Sequence, residues 1–357
     1  MTKDYQKILS DLIVSIVESS ASDLHLAVGR HPTLRVAGSL VPLSKQPILV
    51  SEDTEGFIAV FLNEEERREL EKAGELDFAY TSDKNVRFRC NAFKQRGYWS
   101  VAMRFVPSKI KKLEELGLPE ILRNFALREQ GFFLVVGPTG HGKSTTLASM
   151  IDIINHEVSK HIVTVEDPIE YLFVQDKSII AQREVGADTT DFSRALRAMF
   201  REDVDVAMVG EMRDPESIGF AVTAAETGHL LLSSLHTNNA SQTIDRIIDS
   251  FPSQQQNQIR LQLAGRLLGI FSQRLIPRIS GGLIPAYELL IANTAVRNLI
   301  RENRVHEIDL FIETSSSEGM VSLNQSLKEL MRAGEITIDT ALRYSLQPDE
   351  FKALLAK

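Results

Sequence analysis

The feature that most constrains this chain is a glycine-rich loop, GPTGHGKSTT, which runs from Gly137 to Thr146. Residues 137–144 fit the pattern G-x-x-x-x-G-K-[ST] without a mismatch. An apolar run, GFFLVV, precedes the loop, and a helical pattern, KSTTLASMIDIIN, continues from it. Glycines let backbone N–H groups converge on phosphate oxygens, and a helix N-terminus adds a partial positive charge. The sequence therefore predicts a nucleotide-phosphate loop within a strand–loop–helix unit.

The loop predicts a specific set of nucleotide contacts. A phosphate loop alone indicates ATP or GTP; Lys143 is expected to reach the β- and γ-phosphates, and the Ser144 hydroxyl to bind Mg²⁺. Because such a loop binds through its backbone, we expect the His141 side chain to face solvent, with a pH-sensitive contact to the nucleotide as the alternative. The expected nucleotide-binding residues are Gly137, Pro138, Thr139, Gly140, His141, Gly142, Lys143, Ser144 and Thr145.

The first part of the chain, residues 1–105, is predicted to form a small α+β domain. Its N-terminal segment reads as an amphipathic helix, and residues 51–73 read as helical with Gly74 as the cap. Short runs of alternating apolar residues between these helices and after them predict antiparallel strands. Turn signals are present at Ser82-Asp83 and at Arg96-Gly97.

The pattern changes after a polar segment, residues 106–119, which we interpret as a linker. From residue 120 onward, apolar runs alternate with helical patterns; the runs are GFFLVVG, HIVTVED, DVAMVGE and HLLLSSLH. Continuous apolar strands separated by helices indicate a parallel sheet covered on both faces. The predicted fold class is therefore α/β, with a nucleotide-binding domain and a helical C-terminal region at residues 120–357.

Composition limits the classes of site and partner. The 357 residues contain a single cysteine, Cys90, which excludes an internal disulfide and a cysteine-rich zinc site. No run of eighteen apolar residues exists, and the N-terminal segment does not read as a signal peptide, so we expect a cytoplasmic protein. The net charge of −8 and the lack of a long basic tract argue against nucleic acid as a partner.

Polar residues follow three more of the predicted strands. Because ligands bind at the carboxyl ends of parallel strands, these residues are expected to converge on the phosphate loop. Glu211, directly after AMVG, is the best candidate to orient and activate the water that attacks the γ-phosphate. Glu166 is expected to hold Mg²⁺ through water or to polarise the nucleophile, and His236 to contact the γ-phosphate. Arg213 and Asp214 follow the same strand as Glu211.

Four motifs in this order resemble those of the type II/type IV secretion ATPase superfamily, and most closely the PilT-type retraction ATPases of type IV pili. The phosphate loop resembles its Walker A motif, VTVEDPIEY its Asp box, and VAMVGEMRD its atypical Walker B motif with Glu211 as the catalytic carboxylate. TAAETGHLLLSSLHTN resembles its His box, with His229 and His236. AVRNLIRE, residues 295–302, is similar to a C-terminal motif of retraction members, although packed apolar positions alone would also explain it. The short chain without zinc cysteines separates it from assembly and secretion members.

The resemblance implies a PAS-like N-terminal domain joined to a RecA-like ATPase domain, in a homohexamer that binds ATP and Mg²⁺ between domains and subunits. Arg87, Arg89 and Arg104 are then expected to act as arginine fingers on the γ-phosphate, because a fixed charge stabilises phosphate oxygens. A solvated basic strand face is the other interpretation of these arginines, and which of them reaches the phosphate is left open.

The implied function is an ATP-hydrolysing motor for pilus retraction and twitching motility. Its partner would be an inner-membrane pilus platform protein (PilC-like), at the inner face of the cytoplasmic membrane. The rival hypotheses are a pilus assembly or type II secretion ATPase, an accessory retraction paralogue, a nucleotide-controlled binding module and a nucleic-acid translocase.

Overall fold

A computed structural model of the chain describes residues 3–19, 21–36, 38–83, 86–107, 109–212 and 214–355. The chain divides into two compact units, Met1–Ser108 and Lys109–Lys357. The strands are β1 Asp23–Ala27, β2 Thr33–Val36, β3 Ser39–Pro42, β4 Glu75–Thr81, β5 Arg87–Gln95, β6 Tyr98–Val106, β7 Gly131–Val136, β8 His161–Glu166, β9 Ile179–Glu184, β10 Val206–Val209, β11 Leu230–Leu235, β12 Leu267–Pro277 and β13 Leu283–Ile291. The helices are α1 Tyr5–Glu18, α2 Ser51–Phe61, α3 Glu64–Ala73, α4 Ile121–Ala126, α5 Lys143–Glu157, α6 Phe192–Met199, α7 Pro215–Glu226, α8 Ala240–Asp249, α9 Ser253–Arg266, α10 Thr294–Arg301, α11 Ile308–Thr314, α12 Leu323–Arg332, α13 Ile338–Tyr344 and α14 Pro348–Leu355. Short 3₁₀ turns lie at Glu114–Leu116, Val305–Glu307 and Ser316–Glu318.

The first unit is built on an antiparallel sheet with strand order β3-β2-β1-β6-β5-β4. Along β5, every second side chain (Phe88, Cys90 and Ala92) is buried in the core. Since successive side chains of a strand point to opposite faces, Arg87 and Arg89 lie on the other face of this sheet. Helix α1 closes the core with buried residues at helical spacing, namely Leu9, Leu12, Ile13 and Ile16.

The stretch 51–73 forms two helices rather than one. Asn63 begins α3 as its N-cap, and its side-chain oxygen accepts hydrogen bonds from the backbone N–H groups of Glu65 and Glu66 at 2.9 and 3.0 Å. The Glu66 carboxylate accepts one in return from the Asn63 backbone N–H at 2.8 Å. This capping box stabilises a new helix start, so the chain breaks between α2 and α3. Gly74 ends α3 with φ 84°, as predicted.

The second unit contains a sheet of seven strands among its described residues, in the order β13-β12-β7-β11-β10-β8-β9. The four strands predicted from the sequence, β7, β8, β10 and β11, are parallel neighbours, which confirms that part of the prediction. Alternate residues of β7 belong to different cores: Phe132 to one hydrophobic cluster and Phe133 to the other. Helices therefore cover both faces of the sheet. The described residues of the two units together have a mixed α/β fold with two sheets.

A long hairpin, β12–β13, was not predicted from the sequence. Its two strands pair antiparallel from Gly269 opposite Ile291 to Pro277 opposite Leu283. Strand β12 also runs parallel to β7, and this pairing ends where Ser272 lies opposite Val136. The last five residues of β12 therefore continue past the end of β7.

Two further segments of the second unit, residues 109–119 and helix α10, were also interpreted from the sequence. Within residues 109–119, which belong to the segment interpreted as a linker, Leu113 and Leu118 are buried in one of the two hydrophobic clusters of the second unit. In α10, Val296 and Ile300 are fully buried, so the AVRNLIRE helix has a packed face. Among the helices of the described residues, none is both long and apolar enough to span a bilayer.

Candidate active site

The loop after β7 has the backbone geometry of a phosphate loop. Gly137, Gly140 and Gly142 have φ angles of 144°, 79° and 81°, a region that side chains with a Cβ rarely adopt. A Cβ on Gly137 would lie 2.3 Å from the backbone oxygen of Gln273 on β12. Gly142 precedes α5, so the helix begins at Lys143. The glycines thus allow the chain to turn tightly from β7 into α5 against β12.

The ammonium group of Lys143 is fixed by the loop that carries it. Its Nζ donates hydrogen bonds to the backbone oxygens of Gly137 and Pro138, each at 3.0 Å. The side chain is only 7% exposed, and burial lowers its pKa, while the charges of Glu211 and Glu170 act in the opposite direction. A cation with this little solvent needs compensating partners. The loop carbonyls and two nearby carboxylates supply them.

His236 connects this ammonium to Glu211. Its Nδ1 lies 3.3 Å from Lys143 Nζ and 3.2 Å from Thr139 Oγ1, and its Nε2 lies 3.2 Å from Glu211 Oε1. Because an ammonium can only donate, Nδ1 is the acceptor, and the ring proton is on Nε2 facing the carboxylate. A continuous series of polar contacts therefore runs from Lys143 through His236 to Glu211. The three residues come from the carboxyl ends of neighbouring parallel strands, where the sequence analysis expected them.

Glu166 is the last residue of β8 and is only 6% exposed. Its carboxylate accepts hydrogen bonds from Thr164 Oγ1 at 2.7 Å, Gln182 Nε2 at 3.4 Å and the Glu170 backbone N–H at 3.3 Å. Burial raises its pKa, and these three hydrogen bonds act against that rise. The Cγ of Glu166 would lie 3.8 Å from a Cβ on Gly210, so the carboxylate is adjacent to the residue before Glu211.

Hydroxyl groups surround the start of α5. Ser144 lies half-buried in the first turn of the helix, and Thr145 Oγ1 lies 2.8 Å from the hydroxyl of Tyr171. Among the described residues, no group of three or more His, Cys, Asp or Glu side chains could hold a metal by itself. Mg²⁺ usually takes one or two protein oxygens together with phosphates and waters, so a hydroxyl and a carboxylate are a suitable donor set.

The structure corrects the expectation that the His141 side chain faces solvent. The ring is half-buried, and its Nδ1 accepts a hydrogen bond from the backbone N–H of Leu275 at 2.9 Å. The backbone oxygen of His141 accepts another from Gln273 Nε2 at 3.0 Å. The sequence does not indicate this contact, because both partners lie on β12, which was not predicted. Gln273 and Gln182 were missed for a related reason, since no sequence signal links a lone glutamine to a distant loop.

The three candidate arginines lie on one face of the sheet in the first unit, whereas the phosphate loop belongs to the second unit. Arg89 is directly opposite Arg104 in the β5–β6 pairing, and Arg87 is two residues away along β5. Arg104 Nε donates to Asp23 Oδ1 at 2.8 Å. Burial opposes ionisation of Asp23, but hydrogen bonds from Ser22 and Arg104 outweigh it and lower the pKa of this carboxyl. The basic face therefore contains an ion pair.

The two histidines of the predicted His box are separated by the full length of β11. His236 follows the carboxyl end of the strand, whereas His229 directly precedes its first residue, at the opposite end. There, its Nδ1 lies 3.0 Å from the backbone oxygen of Ala224, and its ring packs edge-on against Phe200. His229 is therefore not part of the cluster around Lys143. Arg213 lies outside the described residues, and Asp214 caps α7 through Ser217.

Comparisons with known proteins agree with this architecture. The family described as type II/IV secretion system protein matches residues 2–282. The type IV pilus retractation ATPase PilT of Pseudomonas aeruginosa is 41% identical over 343 residues, which cover 96% of this chain and 99% of that protein. A twitching motility protein of Neisseria gonorrhoeae is 42% identical over 337 residues, covering 94% of this chain and 90% of that protein.

A solved structure extends the similarity to the fold. The crystal structure of the pilus retraction motor PilT with bound ADP superposes with a TM-score of 0.91 at 46% identity, covering 99% of this chain and all of that chain. These relatives confirm the resemblance to PilT-type retraction ATPases that the four motifs predicted. The chain belongs to the type II/IV secretion system protein family.

Proposed function

We propose that this chain is an ATP-hydrolysing motor that drives type IV pilus retraction, and hence twitching motility. The observation that carries the proposal is the continuous series of polar contacts from Lys143 through His236 to Glu211, next to a phosphate loop. It supplies a cation for the phosphates, a carboxylate for the attacking water and a neutral ring between them. The names of the close relatives support the mechanical output, since they are a retraction motor and a twitching motility protein.

In the proposed reaction, the loop residues 137–145 hold the phosphates mainly through backbone N–H groups. The Lys143 ammonium exchanges the carbonyls of Gly137 and Pro138 for β- and γ-phosphate oxygens. Glu211 orients the attacking water and accepts its proton. His236, which contacts both the ammonium and the carboxylate, senses whether a γ-phosphate is present. Through these contacts, the chemical state of the nucleotide affects the positions of residues at three strand ends.

The proposed metal is Mg²⁺, held by the Ser144 hydroxyl and by Glu166, directly or through water. When bound, the ion neutralises charge on the phosphates. Glu166 suits this role because its carboxylate is buried among hydroxyl and amide donors that keep it in place. A nearby divalent cation also favours the ionised form of a carboxyl whose pKa burial raises.

The proposed assembly is a homohexamer of this chain, located in the cytoplasm and peripheral at the inner face of the cytoplasmic membrane. Each chain has a PAS-like N-terminal domain at 1–105, a linker at 106–119 and a RecA-like ATPase domain at 120–357. Closure of one N-terminal domain brings Arg87, Arg89 or Arg104 to a neighbouring γ-phosphate as an arginine finger. The force acts on a PilC-like inner-membrane pilus platform protein, and no nucleic acid takes part.

The proposal is tested with Glu211→Gln as the only copy in host cells. The amide cannot accept the proton of water, so purified protein should keep ATP binding and lose turnover. Host cells should carry more surface pili and lose twitching. The matched control is Glu216→Gln, an exposed glutamate in the first turn of α7, which should behave as wild type.

Other outcomes separate the rival functions. Cells without pili would show an assembly motor, and unchanged pili and motility would show an accessory protein or a different machine. Unchanged hydrolysis by the purified variant would assign the water-activating role to another carboxylate.

A further inference from the structure

Strand β12 holds the phosphate loop from one side at several points. The backbone oxygen of Gln273 lies against Gly137, and its side-chain Nε2 donates to the His141 oxygen at 3.0 Å. The same side chain accepts from Thr146 Oγ1 through its Oε1 at 2.6 Å. Two residues further along β12, the Leu275 backbone N–H donates a hydrogen bond to His141 Nδ1 at 2.9 Å. Of these contacts, the bond to the His141 ring is the one that depends on a titratable side chain of the loop.

The position of Leu275 on β12 explains why its backbone N–H needs the His141 ring nitrogen as an acceptor. The pairing of β12 with β7 ends at Ser272, so within the described part of the chain the residues beyond it have no strand neighbour on that side. A backbone N–H that is not solvated needs an acceptor, and its loss costs free energy comparable to a hydrogen bond. On the other side of β12, Leu275 is opposite Pro285. The Nδ1 atom of His141 therefore provides the acceptor that a neighbouring strand would otherwise provide.

The charges around His141 favour the neutral ring that this bond requires. Burial lowers its pKa from the ordinary 6.5, and the cations facing it, Arg274 on β12 and Lys143 on α5, lower it further. Protonation would place a hydrogen on Nδ1, which would then face the Leu275 N–H as a second donor. The bond is therefore present in the neutral ring and lost when the ring is protonated.

We propose that His141 is a positioning residue that fastens the phosphate loop to β12 through Leu275, and that affinity for nucleoside di- and triphosphates depends on this bond. The inference rests on the proposed nucleotide binding. It differs from a direct contact between the histidine and the nucleotide, because a protonated ring would strengthen such a contact and weakens this one.

The test measures the affinity of the purified full-length protein for a fluorescent ADP analogue, in wild type, His141→Ala and His141→Asn. Alanine removes the acceptor and should weaken binding by about two- to tenfold, as the loss of one hydrogen bond does. Asparagine places an oxygen where Nδ1 was and cannot titrate, so it should recover most of the lost affinity. The control is His156→Ala, an exposed histidine near the end of α5 whose ring lies beside Asp152 and Asp176.

The pH dependence gives a second readout. Because the phosphates of the nucleotide also titrate near neutrality, the quantity compared is the ratio of wild-type affinity to His141→Asn affinity. This ratio should fall as the pH is lowered from about 8 to about 5, because the pKa of the ring lies below the ordinary 6.5 and only the wild-type ring gains a proton.

Three results would overturn the inference. Equal affinity of wild type and His141→Ala would show that the bond does not position the loop. A ratio that rises at low pH would show a cationic contact with the phosphates instead. Failure of wild type itself to bind at about pH 8 would overturn the proposed nucleotide binding, and the inference with it.

Discussion

Glu288 on β13 offers a quantitative test of how the structure controls ionisation. Its side chain is 7% exposed, and its Oε1 accepts a hydrogen bond from the backbone N–H of Ala240 at 2.7 Å. Ala240 begins α8, four residues after His236, so this carboxyl anchors the segment that follows the candidate site. Burial raises the pKa of Glu288 from 4.5 to about 7, against the hydrogen bond from Ala240.

The direction of the effect on stability follows from proton binding. Between pH 4.5 and about 7, the folded chain holds a proton at Glu288 that the unfolded chain has released, so the free energy of unfolding falls as the pH rises through this range. At about 1.4 kcal/mol for each pKa unit, the loss amounts to about 3 kcal/mol above pH 7. Glutamine cannot ionise and keeps an oxygen for the N–H of Ala240.

We therefore expect Glu288→Gln to exceed wild type in unfolding free energy by about 3 kcal/mol at about pH 8 and by less than about 1 kcal/mol at about pH 5. Urea denaturation followed by circular dichroism measures both differences from the transition midpoints. Glu120→Gln, at an exposed glutamate before α4, is the control and should show no such dependence. A difference between Glu288→Gln and wild type that is equal at the two pH values would refute the reasoning.

Three further predictions concern the loop, a helix cap and the connecting histidine. Gly137→Ala should abolish measurable nucleotide binding in a fluorescence titration, because its Cβ would lie 2.3 Å from the Gln273 oxygen; retained affinity would show that the loop can move away from β12. Asn63→Ala should destabilise the first unit by about 1 kcal/mol through loss of the α3 cap, read from the fluorescence of Trp99 in urea. An unchanged midpoint would mean that the cap contributes nothing. His236→Ala should lower the ATP turnover number by about tenfold or more, since it removes the ring between the ammonium and the carboxylate. Loss of affinity with an unchanged turnover number would contradict that role.

Much of the candidate site could be predicted because its chemistry is local in the sequence. The phosphate loop is a continuous stretch, and Glu166, Glu211 and His236 each follow an apolar run directly. The rule that parallel strands end at a common edge then brings these side chains together without further information. The length of β11 likewise predicts that His229 and His236 lie far apart in space. Strand β11 lies between them, and six residues of strand span about 20 Å.

The contacts that complete the site could not be predicted in this way. Gln182 supports Glu166 from β9, and β9 is a strand whose pattern mixes polar and apolar residues. Asn63 divides a continuous helical pattern because its side chain bonds the next turn, which competes with helix continuation. In both cases a single polar side chain decides the local structure, and its partner is visible only when the chain is folded.

The sequence by itself determined the phosphate loop, the parallel arrangement of the four apolar strands and the identity of the side chains at their ends. Glycine spacing and strand patterning act over a few residues, so they can be interpreted without the fold. Tertiary structure decided the environment of His141, whose partner Leu275 is 134 residues away in the chain. That contact exists because β12 inserts beside β7 and runs past its end, and no local pattern specifies which strand becomes the neighbour of a loop.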